Sequence, residues 1–121
     1  MKIVNPTAIL GEDIATKYLQ KSGYKIIERN FRKGYGEIDI VAVKDNTLVF
    51  IEVKTRTSNK FGTPGEAITY WKLKSLIKTA QFYKMTHRNL PEALRIDAVS
   101  VKLLSNNEVE DIEHIQNISG F

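Results

Sequence analysis

A chain of 121 residues with 42% hydrophobic content can bury one core but not two, which points to a single domain spanning residues 1–121. Cysteine is absent, which excludes disulfide stapling and a thiolate-rich zinc site and suits the cytoplasm. A formal net charge of +4 and a pI near 9.3 favour anionic partners, nucleic acid ahead of membrane.

No run reaches the roughly 20 apolar residues of a membrane-spanning helix. The opening MKIVNPTAILGED lacks the long apolar stretch of a signal peptide. Asn5 followed by Pro6 supplies an N-cap and a proline at the first helical position, and Gly23 supplies a stop, so a helix is expected over about residues 6–22. Leu10, Ile14, Ala15 and Tyr18 form its inward stripe. Glu12 lies on the flank of that stripe, and periodicity alone reads it as solvated.

Tyr24–Phe31 suits a first strand, and Lys33-Gly34-Tyr35-Gly36 suits the turn that follows. Gly36 to Arg56 then reads as a hairpin, two runs rich in Ile, Val, Leu and Phe about Asp45 and Asn46, residues that tolerate positive φ. With Lys44 opposite Thr47, Asp39 faces Glu52 and Glu37 faces Lys54. Alternation puts these four side chains on one face, with Ile38, Ile40, Val49, Ile51 and Val53 on the other. Opposed carboxylates in an apolar hairpin repel one another and resist desolvation. A hard divalent cation bridging Asp39 and Glu52, with Lys54 alongside, would compensate, which is the equipment of metal-assisted phosphodiester hydrolysis. Four solvated charges on an outer face account for the same pattern. Against that, Val41, Val43, Leu48 and Phe50 continue the charged face as apolar positions, as a covered sheet requires.

A polar loop, Thr55 to Gly62, brings Arg56, Lys60 and Phe61 beside the proposed metal, where the two cations suit a phosphate backbone. Thr63-Pro64-Gly65-Glu66 has capping-box spacing and predicts a helix from there to about Met85. Its buried face would comprise Thr69, Leu73, Leu76, Ile77, Ala80 and Tyr83. Trp71 and Phe82 fall on the opposite face among Lys74, Lys78 and Gln81, a pattern that fits base stacking on a nucleic-acid strand or the interface of a homodimer. Leu94–Leu103 and Glu110–Ile118 read as two further strands about a Ser105-Asn106-Asn107 turn. Arg95 and Asp97 share a face, where they pair with each other or border the site, and the former role is preferred. His87 and His114 have no partner at metal-ligand spacing and are read as non-catalytic.

The order Asp39, then Glu52-Val53-Lys54 on the next strand, resembles the signature of the PD-(D/E)XK nuclease superfamily. The wider set of blocks, Gly11-Glu12-Asp13-Ile14-Ala15, Gly23-Tyr24, Arg29-Asn30-Phe31-Arg32, Gly36-Glu37-Ile38-Asp39, Val49 through Arg56, Phe61-Gly62 and Arg95-Ile96-Asp97, resembles the YraN-like family of small bacterial proteins within it. The superfamily motif alone is short, whereas the ordered blocks span about residues 11 to 101. Ile38 stands where the superfamily often has proline before the acid.

The element order α-β-β-β-α-β-β supports α/β architecture by itself, a mixed sheet of about five strands flanked by two main helices. The resemblance implies that this is the restriction-endonuclease-like fold. It further implies Mg²⁺ or Mn²⁺ held by Asp39 and Glu52, with the Val53 carbonyl as another ligand and Lys54 as the catalytic lysine. An acid at the place of Glu12 resembles the extra active-site acid of related Holliday-junction resolvases and would add a ligand. Glu37 would hold Lys54 or accept a proton. The expected activity is endonucleolytic cleavage of branched or duplex DNA, with RNA left open as a substrate. The competing reading is a nucleic-acid-binding module with little hydrolysis of its own that acts with a partner.

Overall fold

The computed structural model describes residues 5–34, 36–57 and 68–120. Helix α1 spans Pro6–Lys21, and strands β1, β2 and β3 span Lys25–Lys33, Gly36–Lys44 and Thr47–Thr57. Helix α2 spans Tyr70–Thr86, followed by β4 at Ala93–Leu103 and β5 at Val109–Ile115. The five strands form one mixed sheet in the order β1-β2-β3-β4-β5, in which β3 and β4 are parallel and the other neighbours antiparallel. The expected α/β class and element order hold. Tyr35, Lys60, Phe61 and the Thr63–Glu66 capping box lie outside the described residues.

Local signals account for most boundaries. Asn5 caps α1, its Oδ1 accepting from the backbone N–H groups of Thr7 and Ala8 at 3.0 and 3.3 Å. Gly23, at φ +92°, turns the chain out of α1, and Tyr24 N–H donates to Leu19 O at 2.9 Å to close the end. Asp45 and Asn46 adopt φ of 49° and 57°, so a two-residue turn of the primed type sets Lys44 opposite Thr47 as expected. Helix α2 begins later than the sequence suggests. Residues 68 and 69 are non-helical, and exposed Thr69 is the N-cap, its hydroxyl accepting from Lys72 N–H at 3.1 Å.

The sheet separates two apolar layers. On one side α1 lays Leu10, Ile14, Ala15, Tyr18 and Leu19 over Ile40, Ala42, Val49, Ile51, Val99 and Val101. On the other α2 lays Leu76, Ala80 and Tyr83 over Val41, Leu48, Phe50 and Ile96. Each parallel-paired central strand is thus buried on both faces, which explains why Leu48 through Ile51 are all apolar. Tyr83 anchors the second layer with its ring edge-on to Phe31 and Phe50 at 4.8 and 5.7 Å between centroids, while its hydroxyl donates to Glu28 at 2.8 Å.

One interruption matters for the site. Ile38 packs in the α2 layer while Ile40, two residues on, packs in the α1 layer. Strict alternation would put both on one face, as the sequence reading assumed. The flip falls at Asp39, opposite Asn30 of β1, which lies between the pairs Arg29–Ile40 and Phe31–Ile38 and adopts φ 55°. The β2–β3 pairing likewise extends only from the turn to Ile40 and Ile51. Beyond that point the Asp39 carboxylate itself accepts the Val53 backbone N–H, at 2.7 Å.

A candidate two-carboxylate site

Strand β3 continues past Phe50 to Glu52 and Lys54 on the α2 side, and β2 delivers Asp39 where its alternation breaks. Both acids are buried, Glu52 at 3% and Asp39 at 8% exposure. Their lysines come from two elements. Lys54 Nζ lies 3.6 Å from Glu52 Oε2, and Lys72 Nζ, from the first turn of α2, lies 3.1 Å from the same oxygen. The other oxygen, Glu52 Oε1, is buried with no hydrogen-bond partner among the described residues.

Such a group is costly unless something binds it. Burial first, and then the Glu52 charge, push the Asp39 carboxyl up to about 8, against the stabilising hydrogen bond from Val53 N–H. Burial pulls the Lys72 ammonium down, but its contact with Glu52 outweighs that and raises it overall. Two adjacent buried carboxylates that resist ionising together, with one oxygen unpartnered, are the donor set of a hard cation. The carboxylate oxygens of Asp39 and Glu52 therefore suit a divalent ion, while the Val53 N–H is already engaged by Asp39. Among the described residues no cluster of three or more acidic, histidine or cysteine side chains stands at metal-holding distance.

The remaining candidates divide. Glu12, half-buried on α1, lies close enough for its charge to raise Asp39 and is 3.8 Å from Arg29. The β2–β3 ladder that set Glu37 opposite Lys54 stops at Ile40 and Ile51. Glu37 pairs with Arg32 of β1, 3.3 Å away, because beyond Ile40 the register that governs it is that of β1 with β2. Arg56 is half-buried at the end of β3. Trp71 is 75% exposed with Tyr70 edge-on at 5.1 Å, and Lys74 lies over the Tyr70 ring. Lys78 is exposed, and Phe82, expected on the open face, is half-buried and stacks 6.5 Å from Phe31. Sequence reasoning missed Lys72. The signal was available, since Lys72 begins the stripe continued by Leu76, Thr79 and Tyr83.

Arg95 and Asp97 form a separate centre on the α1 face. The guanidinium grips Asp97 through Nε and one terminal nitrogen, both at 2.9 Å, and also reaches the Tyr24 hydroxyl at 2.7 Å. His114 Nε2 lies 2.8 Å from Asp97, and the Asn117 backbone N–H donates to it at 2.9 Å. Burial would raise the Asp97 pKa, but the hydrogen bonds from His114, Arg95 and Asn117 hold it below its ordinary value. The preferred structural role of the Arg95–Asp97 pair is what the contacts describe.

Fold and site together define an α/β protein whose mixed sheet, covered by one helix on each face, carries two buried acids and two lysines at the end of its central strands. The chain belongs to the family described as "Uncharacterised protein family UPF0102", which it matches over residues 11–101, in agreement with the resemblance drawn from the sequence blocks. It is 49% identical over 108 residues to a UPF0102 protein of Syntrophomonas wolfei, covering 88% of this chain and 91% of that one. It is 42% identical over 120 residues to UPF0102 protein TTE1452 of Caldanaerobacter subterraneus, covering 97% and 98%. Among solved structures it is similar to Pyrococcus furiosus SfsA in complex with Ca²⁺ at a TM-score of 0.42 and 19% identity, over 91% of this chain and 63% of that one, a likeness too low to bear on fold or chemistry.

Proposed function

We propose that the protein is a divalent-metal-dependent nuclease with its centre at Asp39, Glu52 and Lys54. The observation that supports this reading is the buried pair Asp39 and Glu52, with Glu52 Oε1 unpartnered among the described residues and the Asp39 pKa raised to about 8. Asp39, Glu52 and the Val53 carbonyl would hold Mg²⁺ or Mn²⁺, with Glu12 nearby as a further acid. Bound there, the ion would polarise a scissile phosphate and lower the pKa of an attacking water.

The chain's own groups do the rest. Val53 N–H fixes one Asp39 oxygen at 2.7 Å and so aims the carboxylate. Lys54, on the same β3 face as Glu52, orients the water or stabilises charge developing on the phosphate. Arg56, Lys60, Lys74, Lys78 and Trp71 are proposed to contact the nucleic acid, DNA in duplex or branched form with RNA left open, and a homodimer and cytoplasmic location are proposed with them.

A second reading, a nucleic-acid-binding module with little hydrolysis that acts beside a partner, draws on the Lys72–Glu52 ion pair, which partly neutralises the site without any metal. Cleavage separates the two. End-labelled duplex, flap, single-stranded and four-way-junction DNA should be cut by wild type with Mg²⁺ or Mn²⁺ but not by Asp39→Asn or Lys54→Ala. Folded wild type that stays as silent as both variants on every substrate would put the binding module ahead.

A further inference from the structure

Glu52 is the most enclosed charge of the site, and one of its oxygens is contacted from α2 as well as from its own strand. Lys72 closes to 3.1 Å, nearer than Lys54 at 3.6 Å, although its side chain is 41% exposed and its stem is flexible. An ammonium this close occupies space and charge that a divalent ion on Glu52 would need. Two lysines and a 2+ ion around one carboxylate repel one another, whereas a phosphate brought beside the ion offers a lysine a new acceptor.

We infer that Lys72 is an exchangeable counter-ion of the site: it holds Glu52 in the metal-free protein, yields that place to a divalent cation, and turns to the phosphate of the nucleic acid. This inference rests on the metal reading above and extends it to the order of assembly. Lys72 weakens metal binding in the absence of nucleic acid and strengthens substrate binding once metal is present, so metal and phosphate load together. Coupling of this kind is reciprocal, and a phosphate-bearing strand must tighten the metal by the same factor that the metal tightens the strand.

The test is Mn²⁺ binding to the full chain without nucleic acid, followed by electron paramagnetic resonance of the free ion. Lys72→Ala, and Lys72→Met, which keeps an apolar stem, should each bind Mn²⁺ about tenfold more tightly than wild type, the usual scale of a removed neighbouring charge at a part-exposed site. Lys72→Arg retains the charge and should stay within about twofold of wild type, as should Lys17→Ala, which removes an exposed ammonium of α1. Glu52→Gln should abolish the binding that Lys72→Ala strengthens. A role of Lys72 limited to packing α2 predicts unchanged or weaker binding in these variants.

Unchanged or weaker Mn²⁺ binding in folded Lys72→Ala and Lys72→Met, with wild type binding the ion, overturns the inference and leaves the nuclease reading intact. Wild type that binds no Mn²⁺ at millimolar concentration removes both. Tighter binding in the Lys72 variants of a protein that cuts no substrate supports the counter-ion and removes the nuclease reading alone.

Discussion

Gly11→Ala tests how tightly α1 is seated on β3 at the Gly11–Thr55 contact. In an open helix this change stabilises, because alanine exceeds glycine in helix propensity by about 1 kcal/mol. Here an added Cβ would stand 1.8 Å from Thr55 Oγ1 and 2.8 Å from both Thr55 Cβ and Cγ2. Rotation about χ1 moves the Thr55 hydroxyl and methyl together and leaves the 2.8 Å contact to Cβ, which falls short of the ordinary carbon separation of about 3.5 Å. The helix must therefore lift by several tenths of an ångström. Overpacking of this kind costs about 3 kcal/mol at the upper end of its usual range, so the net expected loss is about 2 kcal/mol. At roughly 4 °C per kcal/mol for a chain this size, Tm should fall by about 8 °C. Urea and thermal unfolding followed by circular dichroism would measure it. In Thr55→Ala the Cγ2 and Oγ1 are gone, so adding Gly11→Ala to that background should cost about half as much. A Gly11→Ala protein as stable as wild type, or more stable, would refute the packing argument. Because Thr55 directly follows Lys54 and Gly11 directly precedes Glu12, the same lift should also disturb the spacing of the candidate site.

Other consequences can be checked in the same unfolding assays. Asp39 in the metal-free protein has a folded pKa raised to about 8, so its contribution to stability is full below the ordinary carboxylate range and is lost as pH rises towards 8; Asp39→Asn should flatten that decline. Mn²⁺ should raise the wild-type midpoint by ligand linkage and leave that of Asp39→Asn unmoved. Asp97 has the opposite sign. Its pKa is depressed, so its stabilisation is present at neutral pH and lost as pH falls through the acid range, and Asp97→Asn should cost about 3 kcal/mol at pH 7 by stranding Arg95 while shortening the acid limb. At the hairpin turn, Asn46→Ala should lose about 1 kcal/mol because φ is 57° there, and Asn46→Gly should lose nothing.

The legible parts of the fold were those written in local chemistry. Asn5-Pro6 and Gly23 delimit α1, and Asp45-Asn46 fix the register from Lys44–Thr47 outward. Extrapolating that register is sound only while both strands stay extended. It places Asp39 and Glu52 together correctly in outline, but it cannot foresee that Asn30 turns to positive φ on the neighbouring strand and that Ile38 changes layer. The same extrapolation set Glu37 against Lys54, when its ion pair is with Arg32 across the other side of β2. Helix α2 misled for a different reason. The capping-box spacing at Thr63–Glu66 drew the expected start upstream, whereas the helix that carries the amphipathic run is capped by Thr69, which puts Lys72 in its first turn beside Glu52. His114 beside Asp97 depends on the β4–β5 register, for which the Ser105–Asn107 turn alone is no guide.

The broken alternation at Asp39 explains why a buried acid is tolerated there. In a regular ladder, residue 39 would have either faced an apolar layer or stood opposite its partner with its backbone groups paired and its carboxylate unsatisfied. Ending the β2–β3 pairing at Ile40 and Ile51 frees the Val53 N–H, and the carboxylate takes it as a hydrogen-bond donor. That one bond offsets part of the cost of burial and also fixes an oxygen in direction. Glu52, still on the regular strand, has no such backbone partner and depends on lysines from β3 and α2. The site is therefore asymmetric, with Asp39 oriented by backbone and Glu52 held by side chains that can move. Only the second of these arrangements can be exchanged for an incoming ion without rebuilding the sheet.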